Sequence, residues 1–272
     1  MNCWINGRRT TRVDHRDRGL QYGDGVFETM RVRGSRVRLL EHHLQRLETG
    51  CRRLTIAVPD LAALRRELAA RAAQRADGVL KLIVTRGVGA RGYRPSGDER
   101  TLRIISLHPL PDIATGVPGP VRVRLCATPV GANPALAGIK TLNRLESVMA
   151  RGEWRDPRIW EGLMCDLEGN IVCGTMSNLF MRRGSFLMTP MLERCGIAGV
   201  MRRWVLAQAR SLDLRPLEGR IRWEDLRGAD EAFLTNAIAG VVPIGRIVHG
   251  RQRIAFGAAP IGRRLHGLLD RL

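Results

Sequence analysis

Lysine is almost absent from this chain, so its two lysines are the first residues to examine for covalent chemistry. The 272 residues contain 45 lysines and arginines together, and only Lys81 and Lys140 are lysine. Arginine keeps its proton, whereas a lysine amine can lose its proton and attack a carbonyl carbon. Lys81 lies in an apolar run that predicts a strand, and Lys140 lies where a glycine-containing loop leads into a predicted helix. We expect Lys140 to be the reactive lysine, since a side chain at such a junction can project into a pocket.

Composition excludes several classes of protein. The hydrophobic fraction of 44% and the charged fraction of 26% are those of a soluble globular protein. No apolar run approaches the roughly 18 residues that cross a bilayer, and the first residues lack the apolar core of a secretory signal. The six cysteines are scattered without a Cys-x-x-Cys pair, so neither a metal site nor a disulfide framework is predicted. These features indicate a reduced cytoplasmic protein.

The formal net charge of +19 raises the alternative of nucleic-acid binding. Against it, the arginines are spread over every segment, and aromatic residues make up only 4% of the chain. Such a composition offers few stacking platforms for single strands. A positive field that attracts small anionic substrates and phosphates is the preferred interpretation.

Strand and helix patterns alternate along the chain, which predicts an α/β (α+β) fold. The predicted strands lie at 26–33, 37–40, 79–85, 101–107, 121–127, 160–165, 170–173, 178–182, 186–189, 214–218, 231–235 and 241–248. Helical spacing is seen at Leu44–Leu54 and at Leu61–Ala72, and further helices are predicted from Lys140 to about Trp154 and from about Gly199. The proline-rich segment 109–120 predicts a linker. We therefore expect a small domain at 1–110, a linker at 111–120 and a larger domain at 121–272.

Several motifs then occur in a fixed order with Lys140. They are Asp17-Arg-Gly-Leu-Gln-Tyr-Gly-Asp-Gly-Val-Phe-Glu-Thr29, His43-Leu-Gln-Arg46, Gly138-Ile-Lys-Thr-Leu-Asn-Arg144, Glu168-Gly-Asn-Ile-Val-Cys-Gly-Thr-Met-Ser-Asn-Leu-Phe180, Gly199-Val-Met-Arg-Arg-Trp204 and Thr235-Asn-Ala-Ile-Ala-Gly240. In this order and spacing the chain resembles the fold-type IV pyridoxal-phosphate enzymes (the class IV aminotransferase family), and within them the 4-amino-4-deoxychorismate lyases. The resemblance runs from Trp4 to about Ile244.

The resemblance implies a two-domain fold with the active site between the domains, pyridoxal 5'-phosphate as cofactor, and a homodimer. Lys140 corresponds to the lysine that forms a Schiff base with the cofactor. Arg46 and the backbone amides of Val200, Met201 and Ile238 correspond to the groups that hold its phosphate. The chemistry suits these assignments, because a guanidinium and the free amides of a helix N-terminus both bind phosphate.

Other motif residues correspond to groups near the substrate. Thr29 offers a hydroxyl on a strand and is a candidate for proton transfer beside Lys140. The glycine-rich segment Arg86-Gly-Val-Gly-Ala-Arg-Gly-Tyr93 resembles the loop of the lyases, whose substrate carries two carboxylates. Arg91 and Tyr93, with Tyr22, are the candidate substrate contacts. The alternative is that this segment is an ordinary surface hairpin with a basic tip.

One position departs from the family pattern. Cys173 stands where the family places a glutamate against the ring nitrogen of the cofactor. A carboxylate there keeps the pyridine protonated, whereas a thiol with an ordinary pKa of about 8.5 does not. Either the cofactor chemistry is lost, or the reaction needs less electron withdrawal.

The preferred function is a lyase that converts 4-amino-4-deoxychorismate to 4-aminobenzoate and pyruvate in folate biosynthesis. Formation of an aromatic product drives this reaction, whereas transamination depends more heavily on electron withdrawal by the ring. The alternatives are an aminotransferase of the same fold acting on D-amino acids or branched-chain amino acids, and a basic nucleic-acid-binding protein without catalysis.

Overall fold

The protein divides into two compact units, each built around its own β-sheet. The computed structural model describes residues 2–111 and 119–270, so most of the predicted linker at 111–120 lies outside the described residues. One unit comprises Met1–Asp112 with Ile139–Asn143, and the other comprises Ile113–Gly138 with Arg144–Leu272. The five residues around Lys140 therefore belong with the first unit, a detail that the predicted boundaries did not include.

The sheet of the first unit is antiparallel throughout its described strands. These are β1 (Asn2–Ile5), β2 (Arg8–Arg9), β3 (Gly25–Arg33), β4 (Arg36–Val37), β5 (Asp77–Thr85) and β6 (Leu102–His108), in the order β2-β1-β6-β5-β3-β4. Along β3, Val26, Met30 and Val32 are buried in the core, while Phe27 and Thr29 face the other side and are half-buried. This period-two alternation is what the sequence predicted.

Three helices are described in the first unit: α1 (Arg18–Tyr22), α2 (Leu40–Arg53) and α3 (Leu61–Ala72). The predicted spacing in α2 is confirmed, because Leu44, Leu47 and Cys51 are buried on one face of this helix. The Asp60 carboxylate caps α3 by accepting hydrogen bonds from two amides of its first turn. Both long helices thus cover the apolar face of β3 and β5, which leaves the Phe27 face of the sheet for function.

The second unit contains nine described strands in a mixed sheet. They are β7 (Val121–Leu125), β8 (Ile159–Cys165), β9 (Ile171–Gly174), β10 (Asn178–Arg183), β11 (Phe186–Pro190), β12 (Arg215–Gly219), β13 (Glu231–Asn236), β14 (Gly240–His249) and β15 (Gln252–Ala255). The order is β12-β11-β10-β13-β14-β7-β8-β9, with β15 paired to β14. The mixed α/β class predicted from the sequence is confirmed.

The helices of this unit differ from prediction in two places. They are α4 (Leu145–Arg151), α5 (Val200–Gln208), α6 (Trp223–Arg227) and α7 (Pro260–Leu269), with a short 3-10 helix at Ala209–Leu212. The helix expected to run from Lys140 to Trp154 is shorter, since it begins at Leu145 and ends at Arg151. No helix is predicted after the one that begins near Gly199, whereas α6 and α7 are both present. Of the helices described, none is long and apolar enough to cross a membrane.

Candidate active site

Lys140 lies in a short extended segment that is hydrogen-bonded to β3. The Phe27 amide donates a hydrogen bond to the Lys140 carbonyl at 3.0 Å, and the Leu142 amide donates to the Gly25 carbonyl at 3.0 Å. The backbone is therefore held on both sides of the lysine. Its ammonium nitrogen, Nζ, lies 4.1 Å from the centre of the Phe27 ring, within cation–π distance.

The second lysine lies beside the same aromatic ring. Lys81 Nζ is 5.6 Å from the centre of the Phe27 ring, and Lys81 is directly opposite Thr29 in the β3–β5 register. Opposite residues in an antiparallel pair point to the same side of the sheet. This face therefore brings together both lysines of the chain and the Thr29 hydroxyl, whereas the sequence placed Lys81 only on a predicted strand.

Arg46 belongs to a buried charged network below this face. Its guanidinium donates from Nε to Glu28 Oε1 at 2.8 Å and from Nη2 to Glu28 Oε2 at 2.5 Å, and His43 Nδ1 lies 2.6 Å from the same carboxylate. Although burial alone raises the pKa of the Glu28 carboxyl, Arg46 and His43 together lower it to about 2. Desolvation lowers the pKa of His43, so its imidazole is neutral and donates to Glu28.

Two of the predicted substrate contacts, Arg91 and Tyr93, lie on a loop of the same unit, and the third, Tyr22, ends α1. Arg91 is exposed and Tyr93 is 85% exposed, while Tyr22 lies below them with its ring 5.5 Å from that of Tyr93. The Gly92 amide donates to the Tyr22 hydroxyl at 3.3 Å. The structure thus brings these three residues together around one turn of the loop.

Cys173 is on β9 of the second unit and carries a neutral thiol. Burial, followed by the charge of Glu161, raises the pKa of this thiol to about 12. Glu161 is fully buried, and its carboxylate accepts hydrogen bonds from the Thr175 and Ser177 hydroxyls at 2.6 and 2.8 Å. It also accepts from the amides of Gly162 and Met176, so Glu161 serves the turn after β9. Cys173 is therefore a neutral, weakly hydrogen-bonding group at physiological pH.

The N-terminus of α5 has the features of an anion-binding site. Val200 and Met201 open this nine-residue helix after Gly199, and within the described chain no side chain caps their amides. A Cβ at position 199 would lie 2.1 Å from Asn178 Oδ1, so only glycine fits beside Asn178. Thr235 lies opposite Asn178 in the β10–β13 register and is 1% exposed. The Thr235 hydroxyl has no hydrogen-bond partner among the described residues.

Thr235 was not among the residues chosen from the sequence, because a threonine on a strand gives no local signal of function. Its unpaired buried hydroxyl is visible only when β10 and β13 are placed side by side. The fourth predicted phosphate contact, the Ile238 amide, donates to Asn236 Oδ1 at 3.0 Å within its own turn.

The chain is similar over almost its whole length to several known proteins. A family model described as amino-transferase class IV matches residues 25–247. The crystal structure of 4-amino-4-deoxychorismate lyase from Pseudomonas aeruginosa is 43% identical, with a TM-score of 0.91 and coverage of 99% of this chain and 98% of that one. Aminodeoxychorismate lyase from Vibrio harveyi is 32% identical over 269 residues, which cover 98% of this chain and 99% of that protein.

Aminotransferases are also similar to this chain. A putative branched-chain-amino-acid aminotransferase from Methanocaldococcus jannaschii is 30% identical over 269 residues, which cover 93% of this chain and 91% of that protein. The motif order, the two-unit fold and these similarities agree, and the chain belongs to the class IV aminotransferase family.

Proposed function

We propose that this protein is a pyridoxal-phosphate-dependent lyase that converts 4-amino-4-deoxychorismate to 4-aminobenzoate and pyruvate. The observation that carries the proposal is the sheet face on which Lys140 and Lys81 lie beside the Phe27 ring, with Thr29 opposite Lys81. It combines an amine for the cofactor, a second cation for a carboxylate and a hydroxyl for proton transfer. The similarity to lyases over nearly the full length of the chain supports this choice.

The donor groups of the second unit fit a phosphate-bearing cofactor. The Val200 and Met201 amides at the start of α5 offer two N–H groups and the positive end of the helix. The buried Thr235 hydroxyl, without a partner among the described residues, is a further donor of the kind that a phosphate oxygen would satisfy. These groups would hold the phosphate of the cofactor.

Lys140 has two roles in the proposed reaction. When bound, pyridoxal phosphate supplies an aldehyde that takes up the substrate amine and a ring that withdraws electrons from the carbon bearing that amine. Lys140, released when the substrate amine takes its place, would then remove the proton from this carbon. The neighbouring ring carbon would then lose its bond to the oxygen of the enolpyruvyl group. The electron pair of that bond leaves with enolpyruvate, and the six-membered ring becomes aromatic. Enolpyruvate takes up a proton to give pyruvate.

The charged residues of the first unit would orient the substrate. Its two carboxylates require two cationic contacts, and Lys81 on the sheet face and Arg91 on the loop are suited to them. Thr29, opposite Lys81 on the same face, would pass a proton to the departing group. Each of these residues acts on the substrate itself and not on the cofactor.

The neutral Cys173 thiol favours the lyase over an aminotransferase. A neutral thiol does not enforce protonation of a pyridine nitrogen, so the ring is a weaker electron acceptor. Elimination with aromatisation tolerates this loss better than transamination, which must also return a proton to the cofactor. The lyase reaction therefore depends less on a carboxylate at position 173.

The test is a direct comparison of reactions with one preparation of the protein. Aminodeoxychorismate is offered first, then D-alanine and branched-chain amino acids with an oxo-acid acceptor. We expect release of pyruvate and 4-aminobenzoate with slow amino transfer. Fast transamination without pyruvate release would replace the lyase by an aminotransferase.

The role of Lys140 has its own measurement. Borohydride reduction of the purified holoenzyme followed by peptide mapping should place a pyridoxyl group on Lys140. Lys81, the only other lysine, is the internal control. An adduct on Lys81, or none, would contradict the assignment.

We also propose that the protein is a homodimer. Helix α4 exposes Leu145, Val148 and Met149, which are 71%, 63% and 59% exposed and lie at i, i+3 and i+4 on one side of the helix. Contiguous apolar residues on a helix are a common feature of protein interfaces. A second copy of this chain is the partner that the resemblance implies.

A further inference from the structure

The loop that carries Arg91 has almost no regular structure of its own. From Gly87 to Tyr93 it contains no helix and, apart from an isolated bridge at Val88, no strand pairing. Its tip is exposed, and its residues are the candidate contacts to the substrate. Such a loop needs outside contacts to hold one side chain in one direction.

Arg18 supplies these contacts from below. Its side chain is 3% exposed, and its guanidinium donates from Nη1 to the Gly92 carbonyl at 2.9 Å and from Nη2 to the Tyr93 carbonyl at 2.7 Å. The Arg18 amide also donates to the Gly87 carbonyl at 2.9 Å. One residue therefore holds the loop at its beginning and directly after Arg91.

A second set of contacts, around Asp24, holds Arg18 itself in position. Its Nε donates to Asp24 Oδ2 at 2.9 Å, and Arg86 donates to both oxygens of the same carboxylate at 2.7 and 3.2 Å. Arg86 also donates to the carbonyls of Leu54 and Thr55 at the end of α2. The Arg18 guanidinium lies 4.9 Å from the centre of the Tyr22 ring. Arg18 is thus connected to the end of α2 through Asp24 and Arg86.

We propose that Arg18 is a positioning residue that sets the direction of Arg91, and thereby the affinity for a substrate carboxylate, without touching the substrate. The inference rests on the proposed function, because it takes Arg91 as a carboxylate contact. Arg18 is buried, and its Nε and both terminal nitrogens donate to Asp24 or to the loop, so it acts through the loop. In the proposed reaction it affects substrate binding more than the proton transfer at Lys140.

Lysine cannot replace arginine in this arrangement. The planar guanidinium reaches a carboxylate and two adjacent carbonyls at once, whereas an ammonium is a single point on a flexible stem. Arg18→Lys keeps the positive charge but loses the planar group that reaches all three acceptors. The matched control is Arg16→Lys, an exposed arginine two residues away that is paired only locally with Asp14.

The experiment compares KM and kcat for pyruvate release in wild-type protein, Arg18→Lys, Arg91→Gln and the double variant. Loss of charged hydrogen bonds to the loop should raise KM for Arg18→Lys about tenfold to a hundredfold, with kcat within about threefold of wild type. The double variant should be no worse than Arg91→Gln, since both changes remove the same interaction. Arg16→Lys should match wild type.

A second readout does not depend on activity. Trypsin cleaves after Arg91, and Arg18→Lys should be cut there at least about tenfold faster than wild type or Arg16→Lys, because the loop opens more often. If Arg18→Lys does not fold, Asp24→Asn keeps the shape of the side chain that accepts from Arg18 Nε, removes its charge, and should raise KM about threefold at unchanged kcat.

The two possible failures are distinct. Wild-type protein that releases no pyruvate would overturn the proposed function and this inference with it. An active wild type whose Arg18→Lys variant keeps its KM, loses only kcat, or shows effects that multiply with those of Arg91→Gln would overturn the role of Arg18 alone. Equal cleavage after Arg91 in both proteins would do the same.

Discussion

At the scale of single residues, the neutral thiol of Cys173, where the resemblance implies a carboxylate, is the most informative feature of the chain. The raised pKa of this thiol, about 12, means that it stays neutral throughout the physiological range. Glu161 influences that pKa, but its own oxygens are occupied by the turn at 174–177. Within the described residues, Glu161 is thus committed to structure and does not replace the missing carboxylate.

Cys173→Glu should therefore change the balance between two reactions. A carboxylate beside the ring nitrogen would favour its protonation, so we expect amino transfer to D-alanine or branched-chain substrates to rise at least about tenfold while lyase turnover changes less than about threefold. Cys173→Ser, which stays neutral, should show neither effect. Without cofactor, the Glu variant should unfold more easily, because a carboxylate at this half-buried position lacks its partner. Equal changes in both activities would refute this account.

Much of the residue-level picture was predictable, for different physical reasons. Lys140 could be proposed as the reactive lysine from the sequence, because lysine is so rare in this chain and because its neighbours match a motif. The roles of Arg18, Glu28 and Thr235 were not recognisable, since each depends on contacts across strands or loops distant in sequence. Arg18 meets Gly92 and Tyr93 more than 70 positions later, a relation that no local pattern encodes.

At the scale of elements, the network of Glu28, His43 and Arg46 joins α2 to β3 and should make stability depend on pH. Because the pKa of Glu28 falls from its ordinary 4.5 to about 2 on folding, its contribution is present above pH 4.5 and is lost as pH falls toward 2. The lowered pKa of His43 acts in the same direction, since below pH 6.5 the unfolded chain takes up a proton that the folded chain resists.

We therefore expect the free energy of unfolding to fall in two stages as pH drops from 7 to 3. Glu28→Gln should remove the lower stage and cost on the order of 3 kcal/mol at pH 7. The control is Glu48→Gln, which breaks a more exposed pair with Arg52 on the same helix and should cost less than about 1 kcal/mol with little pH dependence. Urea unfolding at pH 7, 5.5, 4 and 3 measures all three proteins. Parallel pH profiles for wild type and Glu28→Gln would contradict the role of the network.

The helices show why some elements were predicted and others were not. Helices α2 and α3 carry their own signals, an apolar stripe in α2 and the Asp60 cap of α3. Helix α7 has no side-chain cap of its own in the described chain, and its first amides instead donate to the Glu231 carboxylate, 30 residues earlier. A helix completed by a distant residue looks incomplete in the sequence.

At the scale of the whole molecule, net charge and association oppose each other. Each chain carries a formal charge of +19, so two copies repel one another at low ionic strength. The proposed interface on α4 is apolar, and apolar contact gains little or nothing from low salt. The balance between these terms sets when a dimer forms.

Dimerisation should therefore strengthen as salt is added, in contrast to an interface made by ion pairs. Raising the salt from about 10 mM to about 150 mM shortens the screening length from about 30 Å to about 8 Å and weakens the repulsion between the two chains. We expect sedimentation analysis to show a larger dimer fraction at the higher salt.

Val148→Glu with Met149→Glu should give a monomer at both salt concentrations, because two charges enter the apolar stripe. The control Leu167→Glu alters an exposed leucine outside α4, 80% accessible, and should leave the dimer intact. A dimer that dissociates as salt is raised, or that survives the double change on α4, would show that another surface joins the two copies.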